Sequence, residues 1–266
     1  MSNWFAATTV EYLKNKEGKQ EAFFLWESVL LFEAETAEEV RDKAIARSKV
    51  SGREGNDWEL DGQPAEWHFA GVRSIVPLKD RPGDGSGVIS MPVSLKSEED
   101  LESFIEGNDA NALRYTEEPF DFRLPENSGL RGPKEQKISD WSAAHLIFYI
   151  QFKDEEVRQE GFPAWEKVIL INDTGYIDPF IKAEEIGIML EDDNLVVDGK
   201  EAYLMFAGVR KITACADGED QPGDGTELTY TDMELESEDD IKAFASGQAI
   251  EILYHAIEPE EGADNA

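Results

Sequence analysis

The chain contains the same unit twice, and this duplication constrains its fold more than any other feature of the sequence. Phe-Ala-Gly-Val-Arg occurs at residues 69–73 and again at 206–210. Pro-Gly-Asp-Gly occurs at 82–85 and again at 222–225. Four further landmarks recur in the same order, and the offset between the copies stays between 137 and 140 residues. Because sequence that recurs at a fixed spacing indicates recurring structure, we expect the two copies to share one fold.

The positions of the repeats predict two domains joined by a linker. The first repeat spans 1–119, and the second, more acidic repeat spans 141–259 and is followed by an acidic tail at 260–266. Residues 120–140 contain two prolines, two glycines and equal numbers of acids and bases, which is typical of a linker. Each repeat is long enough to fold alone. The alternative is a fused pseudo-dimer with a single core.

Each copy is predicted to contain five strands and two helices in the order ββαββαβ. Aromatic and β-branched residues at 4–13 and 22–34 predict the first two strands. Thr36 and Glu39 form a capping-box pattern that predicts a helix ending near Lys49. Three more strands are predicted around 65–77, 87–96 and 111–117, with a helix that Ser97 caps before the last of them. We therefore expect an α+β fold with mixed or mainly antiparallel sheets.

The negative net charge disfavours nucleic acids and anionic membranes as partners. The net charge is −33, so phosphate backbones and anionic membrane surfaces are disfavoured. No window approaches the roughly 18 apolar residues of a membrane span, and the first residues do not resemble a signal peptide. We expect a cytoplasmic protein without bound nucleic acid. We also expect a monomer, because the duplication already supplies a twofold arrangement.

The excess negative charge lies mainly in the second repeat. Residues 1–119 carry 24 acids and 13 bases, whereas residues 141–266 carry 30 acids and 8 bases. The added carboxylates include alternate residues of a predicted strand and the loop before it: Asp217, Glu219, Asp220, Asp232, Glu234 and Glu236. Alternate strand residues share one face. The first copy has Pro92, Ser94 and Lys96 at the strand positions, so the fold does not require these acids. They form either a solvated face or a site for a basic partner.

Catalytic interpretations have little support in the sequence. None of the three histidines (His68, His145 and His255) has a counterpart in the other copy, which suggests packing positions. Cys215 follows a predicted strand and is interpreted as a buried, inert thiol. No known nucleophile, metalloprotease or nucleotide-binding motif is present. We predict that the protein is not an enzyme and has no cofactor.

Two further sets of residues have competing interpretations. Arg73 and Arg210 occupy equivalent positions in an apolar strand, where each either contacts a ligand or pairs with a carboxylate such as Glu27 or Glu166. Pairing is the favoured interpretation. Acids between 217 and 227 offer oxygen ligands for calcium, although their spacing differs from an EF-hand loop. The four tryptophans that the copies share are interpreted as core anchors.

One family resemblance accompanies these residues. The Trp-aromatic start, an acid that opens the second strand, an Ala-rich helix and the Phe-x-Gly-Val strand resemble a bacterial domain family of unknown function. The resemblance implies small one-domain proteins, some of them encoded in toxin–immunity neighbourhoods, with no agreed catalytic residues. This chain departs from the family by being a tandem and by its Pro-Gly-Asp-Gly turns.

These observations predict a non-catalytic acidic binding protein. Its acidic face is expected to dock a basic protein surface, such as that of a nuclease toxin, in the manner of an immunity or inhibitor protein. The alternative is a small-molecule or metal-binding protein, or an enzyme, that uses a cleft between the repeats. A third possibility is a housekeeping module whose acidity reflects a saline environment.

Overall fold

The structure is a computed structural model. It describes residues 3–20, 22–48, 58–60, 62–83, 86–115, 117–119, 141–154, 162–172, 178–197, 199–215, 221–223 and 226–255. The predicted linker at 120–140 and the acidic tail at 260–266 lie outside these residues.

The two repeats contain the same series of strands and helices. The first consists of β1 (Asn3–Asn15), β2 (Phe23–Ala34), α1 (Ala37–Ser48), β3 (Trp58–Leu60), β4 (Gln63–Leu78), β5 (Gly87–Leu95), α2 (Glu98–Ile105), β6 (Ala110–Arg114) and β7 (Glu118–Pro119). The second consists of β8 (Trp141–Phe152), β9 (Phe162–Asn172), α3 (Pro179–Met189), β10 (Asp192–Val197), β11 (Lys200–Ala214), β12 (Glu227–Leu235), α4 (Glu238–Ala245) and β13 (Ile250–Tyr254).

Side-chain caps fix where the helices begin. The Ser97 and Ser237 hydroxyls accept hydrogen bonds from backbone amides three residues later, at the starts of α2 and α4. The Asp178 carboxylate accepts from the Phe180 amide, and a proline occupies the first turn of α3. At α1 the Thr36 hydroxyl accepts from the amide three residues later. These contacts satisfy amides that have no partner within the helix.

The two repeats exchange strands. β5 of the first repeat pairs with β9 of the second, and β12 of the second pairs with β2 of the first. The registers are equivalent: Met91 lies opposite Glu166, and Thr231 lies opposite Glu27. β6 and β13 then pair with each other, with Ala112 opposite Ile252. Because Ala112 and Ile252 are equivalent positions of the two repeats, a pseudo-twofold axis passes between them.

The exchange produces one continuous sheet. Its strand order is β10-β11-β8-β9-β5-β6-β13-β12-β2-β1-β4-β3, and β7 pairs with β5. All strand pairings in the described residues are antiparallel. We call β12, β2, β1, β4 and β3, at one end of the sheet, the first half, and β10, β11, β8, β9 and β5, at the other end, the second half. The two halves pack against each other. Ala6 and Leu31 of one half share a core cluster with Val168 and Leu170 of the other.

The four helices have two distinct positions. α2 and α4 contribute Phe104 and Phe244 to the central core, beside the β6–β13 pair. α1 covers the outer face of the first half through Val40 and Ala44. α3 covers the outer face of the second half, with Ile186 among its buried residues. Each half therefore has an inner face towards the other half and an outer face that a helix covers in part.

The prediction of an α+β fold built from two ββαββαβ units is wrong. Most of the expected strands and helices are present, but the pattern missed β3, β7 and β10 and the exchange of strands between repeats. The described residues contain thirteen strands and only four helices, none longer than 12 residues. Long antiparallel strands, rather than helix-on-sheet layers, supply most of the packing.

The same described residues contain no helix that is long and apolar enough to cross a membrane.

Cutting the chain between the repeats tests whether they depend on each other. We expect a protein cleaved at a protease site inserted within 120–140 to elute in native gel filtration like the intact 29.8 kDa chain. The reason is that each fragment supplies a central strand to the other's sheet. In denaturant the fragments should elute separately. Two independently eluting, folded fragments in native buffer would contradict the strand exchange.

Candidate functional site

Charged side chains lie buried near the pseudo-twofold axis. On the side of the first repeat, the Arg73 Nε donates to Glu117 Oε1 at 2.6 Å, and Arg114 Nη2 donates to the same oxygen at 3.0 Å. Arg114 also contacts Glu27 Oε2 at 3.2 Å and donates to the Tyr254 hydroxyl at 2.8 Å. The four charged side chains are at most 1% exposed. Because these side chains are buried, each charge depends on its partners.

The equivalent position in the second repeat holds a different set of polar groups. Glu166 is the counterpart of Glu27, and its Oε1 lies 2.7 Å from Nδ1 of His145. The imidazole Nε2 lies 2.7 Å from the Thr229 hydroxyl oxygen. Arg210, the counterpart of Arg73, lies 3.9 Å from Glu166. The duplicated carboxylate is thus retained while its partners have diverged.

The favoured interpretation of the two strand arginines is confirmed. Arg73 lies 3.8 Å from Glu27, and Arg210 makes the equivalent contact with Glu166. The guanidinium groups also lie over the rings of Phe244 and Phe104, at 4.0 and 4.1 Å, and donate to the backbone oxygens of the same residues. Each arginine therefore holds the last turn of a helix from the other repeat, where a positive charge is favourable.

The pKa values of the two buried first-repeat acids are shifted in opposite directions: that of Glu27 is raised and that of Glu117 is lowered. Burial raises the pKa of Glu27, although Arg114 and Arg73 oppose this shift. Burial also acts to raise the pKa of Glu117, but the same two arginines outweigh it and lower that pKa. With both acids ionised, two carboxylates face two guanidinium groups, and the cluster is neutral.

The second-repeat cluster is arranged around a neutral histidine. Burial lowers the pKa of His145 to about 4, and Lys211 contributes in the same direction while Glu166 opposes it. Burial acts to raise the pKa of Glu166, but contacts with His145 and Arg210 lower it to about 2. A carboxylate only accepts, so Nδ1–H donates to Glu166 and the Thr229 hydroxyl donates to Nε2.

This carboxylate–imidazole–hydroxyl chain has the connectivity of a nucleophilic triad. Glu166, His145 and Thr229 are, however, 0–1% exposed, so a substrate reaches them only if the halves separate. His145 therefore lies in a packed position, as predicted, but it is held by hydrogen bonds that the sequence did not indicate. Cys215 is a buried thiol, which confirms its interpretation as one.

A second cluster lies on the outer face of the first half, and we call it the aromatic–acidic face. It consists of Phe24, Trp26, Trp67, Tyr230, Asp232 and Glu234, all of them half-buried. The strand exchange creates it, because Asp232 lies opposite Trp26 and Glu234 lies opposite Phe24 across the β12–β2 pair. Its rings come from the first repeat, except Tyr230, and its carboxylates come from the second.

The rings of this face contact one another. Trp26 and Tyr230 stack with their centroids 4.0 Å apart. The Trp67 ring meets Phe24 and Trp26 edge-on at 6.1 and 6.4 Å. The positions equivalent to Phe24 and Trp67 hold Pro163 and Leu204, so the second half lacks this arrangement. The interpretation of Trp26 as a core anchor is wrong, because its side chain lies on the outer face.

Three of the six predicted partner-binding residues lie on β12 or directly after it. Asp232 and Glu234 alternate along β12 with buried residues, so they share the outer face, and Glu236 is exposed directly after the strand ends. Glu234 and Glu236 also line a cleft of about 320 Å³ together with Asp240 and Glu251. Asp217, Glu219 and Asp220 lie outside the described residues, as does most of the 217–227 loop considered for calcium.

The described part of the chain contains no group of three or more His, Cys, Asp or Glu side chains placed to hold a metal ion.

The aromatic–acidic face could not be predicted directly from the sequence. Its two sets of residues are about 200 positions apart and meet only through the strand exchange. One signal was available: Phe24 and Trp67 are aromatic in one copy and not in the other, just as the β12 acids are acidic in one copy only.

One protein-family model matches part of the first repeat. The model described as "Domain of unknown function (DUF4288)" matches residues 4–90, from β1 into β5. This match confirms the resemblance to a domain family of unknown function. No curated protein and no solved structure matches the chain.

The buried histidine predicts a specific pH dependence of stability. Because the folded-state pKa of His145, about 4, is below the ordinary histidine value of 6.5, the unfolded chain takes up this proton first as pH falls. The contribution of the neutral His145 to the free energy of unfolding is complete above pH 6.5 and is lost as the pH falls towards 4. Between pH 7.5 and pH 5 the loss should be about 2 kcal/mol of unfolding free energy.

Urea unfolding of the wild type and His145→Asn at several pH values measures this contribution. The stability advantage of the wild type over the variant should shrink by that amount between pH 7.5 and pH 5. Circular dichroism at pH 7.5 verifies that the variant is folded. An advantage that does not change with pH would contradict a buried neutral imidazole.

Proposed function

We propose that the protein is a non-catalytic binding protein whose aromatic–acidic face docks a basic surface of another protein. The observation that carries the proposal is the interleaving of half-exposed rings with the Asp232 and Glu234 carboxylates. Such a surface suits an arginine or lysine, because rings attract a cation through their faces while carboxylates pair with it. Tryptophan and tyrosine also contribute much of the binding energy at many protein interfaces.

The comparison between the halves supports a role beyond folding. β5 occupies the position equivalent to β12 but carries Pro92 and Ser94 where β12 carries Asp232 and Glu234. The same pairing of strands forms in both halves, so neither the acids nor the neighbouring rings are needed to build it. Like charges that accumulate on one face oppose stability, and a partner of opposite charge relieves that repulsion.

The acid-lined cleft extends this surface. Glu236, Asp240 and Glu251 continue the negative charge from Glu234 into the cleft. A net charge of −33 adds long-range attraction, which raises the association rate of a basic partner and makes binding sensitive to salt. Nuclease toxins fit this description, because a surface that binds nucleic acid is basic. An immunity or inhibitor role is therefore the form of binding that we favour.

The space between the halves is filled by buried side chains. This supports a binding protein with an outer binding surface rather than an enzyme with a cleft between the repeats. Residues that face each other there, such as Leu31 and Val168, are fully or nearly fully buried. The single cysteine, which excludes an internal disulfide, is compatible with a cytoplasmic location. We propose that the protein acts there as a monomer, because the duplication supplies the twofold arrangement of a dimer.

The test uses a variant in which β12 and the residue after it receive their first-repeat counterparts: Asp232→Pro, Glu234→Ser and Glu236→Lys. Host proteins captured on the tagged wild type are eluted with salt and identified, and the affinity of the identified basic protein is measured by calorimetry. We expect the variant to bind at least tenfold more weakly, because it loses the carboxylates that meet the cation.

A second variant controls for net charge. Glu99→Ser, Glu102→Ser and Glu106→Lys change the charge by the same amount at exposed positions of α2 and its C-cap. This control should change the affinity less than threefold at the same ionic strength. Equal effects of the two variants, or no effect of either, would contradict docking at the aromatic–acidic face.

A further inference from the structure

Five large apolar side chains are exposed, four of them on α3 and one on β10. They are Phe180, Ile181, Ile188, Met189 and Val196, with 43–61% of their surface accessible, and we call them the α3 patch. Among the described residues only one other large apolar side chain, Tyr115, is comparably exposed. Several exposed large apolar side chains on one element are uncommon on a monomer and typically mark an interaction site.

The way α3 packs explains which of its residues remain exposed. Lys182, Ala183, Ile186 and Gly187 form the buried side of the helix. A Cβ atom at Gly187 would overlap the Phe206 ring of β11, so glycine allows the helix to lie close to the sheet. The exposed side then consists of Ile181, Glu184, Glu185 and Ile188, which follow the i, i+3, i+4, i+7 spacing of one helix face.

The equivalent helix shows that the fold does not require this patch. α1 follows its N-cap with Ala37, Glu38 and Glu39, and its last turn contains Arg47. At comparable distances from the N-cap, α3 has Phe180 and Ile181, and it ends with Ile188 and Met189. Both helices cover the outer face of a half. The apolar character of the exposed side therefore belongs to α3 alone.

Charge around the patch decides which occupant fits. The surrounding acids are Asp178, Glu184, Glu185, Glu191, Asp192 and Asp193. A second copy of this chain would bring the same acids and a further net charge of −33 to the interface, and the like charges would repel. A segment with an apolar stripe between lysines or arginines would match both the apolar centre and the acidic border.

We propose that the α3 patch docks a basic amphipathic segment of another protein. Its apolar stripe covers Ile181, Ile188 and Met189, and its cations meet Glu184 and Glu185. The patch lies on the outer face of the second half, whereas the aromatic–acidic face lies on that of the first. The inference does not rest on the proposed function and stands if that function fails.

The probe is a synthetic 18-residue peptide of leucine and lysine with its leucines at helical spacing. A scrambled peptide of the same composition has no apolar stripe but the same charge. Fluorescence anisotropy measures binding of both peptides to the full-length protein at low salt and at 0.5 M NaCl. The variant Ile188→Ser/Met189→Ser removes exposed apolar surface, and Ala37→Ser/Ala46→Ser is the matched control on the exposed side of α1.

We expect the striped peptide to bind at least tenfold more tightly than the scrambled peptide, with the preference retained at 0.5 M NaCl. The α3 variant should weaken its binding at least tenfold, and the α1 variant less than threefold. Equal binding of the two peptides, or unchanged binding to the α3 variant, would overturn the proposal. A wild-type dimer in sedimentation that the α3 variant abolishes would also overturn it, since the occupant would be a second copy.

Discussion

The buried charges near the pseudo-twofold axis tie the two repeats together. Arg73 and Arg210 each pair with a glutamate of their own repeat and donate to a helix of the other repeat. Arg114 reaches across the β6–β13 pair to Tyr254. A buried charge that loses its partner destabilises a protein by roughly 3–5 kcal/mol. The network therefore forms only when the strands have exchanged and the helices have docked, which favours this arrangement over separate domains.

The exchange also explains how a duplicated chain acquired an asymmetric surface. The pairing of β12 with β2 combines rings that diverged in the first copy with acids that diverged in the second. Neither copy alone contains the aromatic–acidic face. The α3 patch shows a second divergence on the opposite half, where a helix that is polar in one copy exposes apolar residues in the other. Both surfaces differ between halves that share the same strand pairings.

Local structure could be predicted from this sequence better than strand partners could. Alternating apolar residues and caps such as Ser97 indicated most strands and helices because those signals are local. The pattern along β12 correctly indicated that Asp232 and Glu234 share a face. Which strand lies beside β12 depends on contacts about 200 residues apart, and β2 and β9 present similar edges because they are copies. For the same reason the sequence did not show that Trp26 lies among carboxylates.

Disulfide trapping tests the strand exchange most directly. With Cys215 replaced by alanine, the pair Phe24→Cys and Glu234→Cys should form a disulfide within one folded chain, because these residues are register partners. If each repeat instead paired its own strands, Glu234 would face Pro163, the counterpart of Phe24. We therefore expect Pro163→Cys with Glu234→Cys to form no intramolecular disulfide. Trapping of this second pair, without the first, would contradict the exchange.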